Sequence, residues 1–87
     1  MNKYEYLVSL LPKVGIDQAT IDSEIQIYLD AGEWGEAVIQ AASYLQEQET
    51  VPEEVEQALR DAYKGMEELE GDISRWYTWR YPTDDKA

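Results

Sequence analysis

Carboxylates dominate the reactive side chains of this sequence: nineteen Asp and Glu against seven Lys and Arg, with eleven of the acids between Lys13 and Arg60, an interval that holds no basic residue. Paired carboxylates can hydrolyse glycosidic bonds, but only when two are held at a working separation across a cleft, and no spacing here singles out such a pair. Other chemistries close by residue type. The chain has no histidine, which removes the commonest general base and the commonest metal ligand together. It has no cysteine, so thiolate nucleophiles, thiolate metal sites and disulfides are absent. Ser9, Ser23, Ser43 and Ser74 therefore lack an evident activating base, and neither a zinc motif nor a phosphate-binding glycine loop occurs. Asp30, Glu33 and Glu36 gather about Gly32 without the Asp-x-Asp-x-Asp-Gly order or the distal Glu of a calcium loop. The expectation is a protein that is not an enzyme and uses no cofactor or metal.

With catalysis set aside, the carboxylates become binding chemistry. A net charge of -12 repels nucleic acid and anionic lipid, because both are bound through Lys and Arg. The partner such a chain suits is a basic protein, with no direct nucleic acid and no membrane. Solvation alone is the competing reading, since small domains ordinarily carry a net charge of about 2 to 8. The charge here exceeds that range, and much of it lies in one contiguous stretch. Near the C-terminus, Trp76, Trp79 and Tyr81 stand beside Arg75 and Arg80. That mixture can stack on bases, but the acidity elsewhere argues against it. Trp76 is expected on the bundle, with the outer rings partly exposed under arginine or used as interface anchors.

The elements that must position these residues are helical, since no window alternates apolar and polar residues as a half-buried strand would. A first helix is predicted over about residues 2–11, with Tyr4, Leu7, Leu10 and Leu11 on one stripe and a stop near Pro12 and Gly15. A second begins at Asp17 or Thr20, carries Ile21, Ile25, Tyr28 and Leu29, and ends at Gly32. A third runs from about Glu33 to Gln48 on a stripe of Trp34, Val38, Ala41 and Leu45, with Trp34 expected as a core anchor locking the joint. Ala37, Ala41 and Ala42 are small enough for a neighbouring helix to approach closely. The fourth opens on Thr50-Val51-Pro52-Glu53, the spacing of a capping box, then carries Val55, Leu59, Ala62, Met66 and Leu69 and stops near Gly71. A tail helix is placed over about residues 72–80. The expected fold is all-α, a compact four- to five-helix bundle with mostly antiparallel neighbours, one domain over residues 1–81 with 82–87 frayed. Glu5 would fall in the apolar core of any signal peptide, and no apolar run reaches the roughly 20 residues of a membrane span, so a soluble, cytoplasmic protein is expected.

Helical geometry then places the surface. At about 100° per residue, the second helix centres its apolar stripe on Ile25 and turns Ser23, Gln26, Ile27 and Asp30 away from it. The third presents Glu36, Gln40, Ser43 and Glu47 opposite Val38 and Leu45, with Ile39 at the margin. Isoleucines edged by carboxylates on two consecutive helices have the anatomy of an interface, apolar in the middle and polar at the rim, although single exposed apolar residues are also ordinary. The predicted partner-binding set is Ile27, Asp30, Glu33, Glu36, Ile39, Gln40 and Glu47.

The joint between these helices also carries a family resemblance. The run Ile25-Gln26-Ile27-Tyr28-Leu29-Asp30-Ala31-Gly32-Glu33-Trp34-Gly35-Glu36-Ala37 resembles the MafI-type immunity proteins, small bacterial proteins with a similar Tyr-Leu-x-x-Gly-Glu-Trp-Gly-x-Ala segment between helices. Those thirteen positions are the distinctive ones, within a likeness of length and helix order over about residues 20–70. The resemblance implies a cytoplasmic antidote that binds and neutralises a polymorphic toxin of contact-dependent growth inhibition, commonly a nuclease domain. A ribonuclease must carry a basic substrate groove, which an acidic protein can occlude. Two other classes fit an acidic helical chain: a nucleic-acid mimic that disarms a DNA-binding defence protein, and a generic adaptor whose charge serves solubility.

Overall fold

Asn2 starts the first helix. Its side-chain oxygen accepts from the Glu5 amide at 2.8 Å while the Glu5 carboxylate accepts from the Asn2 amide at 3.0 Å, closing a capping box. In the computed structural model, which describes residues 1–70, this helix is α1, Lys3–Leu10. It passes into a 3-10 turn, Leu11–Val14, that contains Pro12. The α-helix ends at Leu10, just before Pro12, as the sequence predicts, and Pro12 is tolerated in the first turn of the 3-10 segment because its missing N–H would have had no partner there anyway. The 3-10 segment stops at Gly15, whose φ of 90° is costly for any residue with a Cβ.

Asp17, not Thr20, caps the second helix by accepting from the Thr20 amide at 2.8 Å. This helix, α2, covers residues 18–30 as two α-helical stretches, Gln18–Ile21 and Ile27–Asp30, joined by a π-helical turn, Asp22–Gln26. It ends where the sequence placed its end. Gly32 adopts φ 77°, its amide donates to the Leu29 carbonyl at 3.0 Å, and the Glu33 amide donates to the Tyr28 carbonyl at 2.8 Å. These are the two bonds of a Schellman motif, which satisfy carbonyls a helix end leaves orphaned.

Helix α3, Trp34–Leu45, comes at once after this joint, three residues shorter at its C-terminal end than the periodicity predicts. Helix α4, Glu53–Glu70, begins later than the proposed capping box requires. Pro52 occupies the position before it, and its carbonyl accepts from the amides of Val55 and Glu56, both at 3.0 Å. A box led by Thr50 needs helix from residue 51 onward, so that expectation is corrected. The stop at Gly71, the tail helix over 72–80, the aromatic tail and the frayed end all lie outside the described residues.

The described residues form an all-α bundle of four helices. Lys13, at the C-terminal end of the α1 segment, meets Glu54, whereas Lys3 and Tyr4 at its start lie against Gly65, so α1 and α4 run in opposite directions. The core joins Leu7 and Leu11 of the first helical segment, Ile21 and Ile25 of α2, Val38 and Leu45 of α3, and Val55, Leu59, Tyr63 and Met66 of α4. Burying each such Leu or Ile contributes about 1.5–3 kcal/mol relative to leaving it exposed. Ala37, Ala41 and Ala42 are fully buried, and α3 packs against all three other helices. No polar or charged side chain is fully buried among the described residues.

Candidate interaction face

Charge is unevenly shared between the two halves of this bundle. Residues 14–52, which hold α2 and α3, carry eight carboxylates and no Lys or Arg. The four cations of residues 1–70, Lys3, Lys13, Arg60 and Lys64, all belong to the α1 segment and α4. Two of them are engaged there: Lys13 pairs with Glu54 at 3.3 Å and Arg60 with Glu56 at 3.4 Å. The α2–α3 hairpin thus presents negative charge without neutralisation from within its own sequence.

The predicted partner-binding residues separate into positions with different exposure. Ile27 is 50% exposed, as the helical wheel requires. Asp30 and Glu33 are exposed at the joint, Asp30 accepting from the Gln26 side-chain amide at 3.0 Å. Glu36 and Gln40 are partly buried and bonded to each other at 3.2 Å, with Ile39 partly buried between them in sequence. Glu47 is exposed just past the end of α3. Glu36 lies in the first turn of α3 and Glu47 beyond its last residue, so the set does not converge on one point.

At the end of the hairpin away from the joint, Tyr44 faces Glu24, an acid the sequence did not single out, together with Glu47 and Asp17. Its phenol pKa is raised, first by burial against the hairpin and then by the field of Glu24 and a hydrogen bond with it, with Glu47 and Asp17 adding to the effect. This contact places Glu24 on the α3 side of α2. No spacing in the sequence announces it, since twenty residues separate the partners.

Trp34 corrects another expectation. It is 37% exposed, and its ring stacks on the buried ring of Tyr4, centroids 5.1 Å apart with 24° between planes. It locks the joint onto α1 from outside the core while leaving part of its surface to solvent. An open groove of about 520 Å³ runs between α1 and α2 over a floor of Val8 and Ile21, with Glu5, Ser9, Gln18 and Gln26 on its sides. Among the described residues no group of carboxylates is arranged to hold a metal ion, and no helix is long and apolar enough to cross a membrane. Compared with models of known protein families, with characterised proteins and with solved structures, the chain has no match.

Proposed function

We propose that this protein is an immunity protein, a cytoplasmic antidote that binds a cognate basic toxin domain, a nuclease in the leading form of the proposal, and blocks its substrate-binding surface without catalysis. One observation carries the reading: the uncompensated carboxylates of residues 14–52 are folded into a single hairpin, while the cations of residues 1–70 sit on the other two helices. A nuclease groove is built to attract phosphate, so a dense carboxylate surface competes for the same field and accelerates encounter. Opposite potentials raise association toward about 10⁸ to 10⁹ per molar per second at low salt, which suits an antidote that must act before damage accumulates. The resemblance of residues 25–37 to MafI-type immunity proteins points the same way from an independent feature. Co-expression with a candidate basic toxin domain tests the proposal, with restored growth and co-purification as the expected outcome. Continued toxicity with both proteins soluble and no complex formed would refute it.

A further inference from the structure

Long-range charge steers a partner to the hairpin but does not say what it grips at contact. Four large hydrophobic side chains are exposed among the described residues: Met1, Tyr6, Ile27 and Trp34. Met1 is terminal. Tyr6 is committed through its hydroxyl, which donates to Glu54 at 3.2 Å, and Trp34 is committed through its stack on Tyr4. Ile27 has no comparable role in the fold. Its neighbours along the same helical face, Ser23 and Ala31, lie four residues to either side and are both small and exposed, so Ile27 stands out as a knob.

The flanks of this knob are acidic on both sides. Glu24 lies toward α3, where it meets Tyr44. Asp30 lies toward α1, tied to Gln26, which itself lines the groove between α1 and α2. The π-helical turn Asp22–Gln26 leads directly into Ile27, and such turns recur at functional sites because the extra residue re-aims the side chains beyond it. Resting on the immunity reading, we infer that Ile27 is the apolar centre of the contact, seated in a shallow apolar depression of a basic protein whose Lys or Arg side chains meet Glu24 and Asp30. Ile39, Gln40 and Glu36 then act from the partly covered side of α3 as rim, not centre.

This division of labour separates in kinetics, because rim charge governs association whereas a desolvated apolar anchor governs dissociation. The test measures binding of the intact chain to a cognate basic toxin domain, for wild type, Ile27→Ser, Ile27→Leu and the pair Glu24→Gln with Asp30→Asn. Ile27→Ser is expected to speed dissociation about 10-fold or more while leaving association within about 2-fold, as loss of a central anchor does. Ile27→Leu, which keeps an apolar knob, restores slow dissociation. The carboxylate pair slows association. Because Ile27 is half exposed, its two variants are expected to keep the fold, and melting temperatures of all the variants check this. Wild-type binding with unaltered dissociation of Ile27→Ser overturns the inference while the immunity function stands. Failure of the wild-type chain to bind at all overturns both.

Discussion

Asp17 shows how much a single exposed side chain fixes. Its carboxylate accepts from the Thr20 amide at 2.8 Å, starting α2 at the edge of the acidic hairpin, and its negative charge also faces Tyr44. Hydrogen bonds from Thr20, the backbone amide foremost, hold its pKa below the ordinary aspartate value. A lowered folded value means the ionised form is favoured by folding. The stabilisation is therefore present above the ordinary pKa and is lost as pH falls through the lowered one. Asp17→Ala should lower the melting temperature at pH 7, and the deficit against wild type should narrow below about pH 4. Thermal melts of the two proteins from pH 7 to pH 3 check this, and a deficit that stays constant would assign the cap no electrostatic part. Tyr44 has the opposite sign: its raised pKa makes its stabilisation complete below the ordinary tyrosine value and lost only in alkali.

Among the elements, the pairing of α1 with α4 turns on Gly65. Helix propensity alone favours alanine there by about 1 kcal/mol. A Cβ on Gly65, however, would lie 2.5 Å from the Tyr4 hydroxyl and 2.8 Å from Cδ of Lys3. The lysine stem can swing aside, but Tyr4 is buried beneath Trp34, so its hydroxyl has little freedom to retreat. Overpacking of this kind costs about 1–3 kcal/mol. Gly65→Ala is therefore expected to lower the melting temperature by several degrees, and the same change in a Tyr4→Phe background should cost clearly less. Equal losses in both backgrounds would remove the hydroxyl from the explanation. The element boundaries also show where sequence suffices. The Asp17 cap, the Gly32 stop and the small stripe Ala37, Ala41 and Ala42 were legible because each rests on local chemistry. The π-helical turn, the exposed stacking of Trp34 and the displacement of the Thr50 box by Pro52 were not, because packing against other helices and competition among neighbouring caps decide them.

For the molecule as a whole, the decisive property is polarity of charge. Its linear form, a stretch from residue 14 to 59 without Lys or Arg, was visible in the sequence; its spatial form required the fold. Antiparallel pairing sets the α1 segment with α4, where four cations offset half of eight carboxylates, and leaves α2 with α3, whose stretch has eight carboxylates and no cation to offset them. Of the candidate surface, the exposure of Ile27 and Asp30 came from helical period and that of Glu47 follows from its place beyond the end of α3, whereas the partial cover on Glu36, Ile39 and Gln40 reflects the central place of α3 among three neighbours. The most direct measurement compares association rates with a cognate basic toxin domain for two matched charge reversals. One places lysines at Glu36 and Glu47 of the hairpin, the other at the exposed Glu67 and Glu68 of α4. At low salt the hairpin pair is expected to slow association about 10-fold or more and to flatten its salt dependence, with the α4 pair staying within about 2-fold of wild type. Equal slowing by both pairs, or a larger effect from α4, would contradict the hairpin as the partner face.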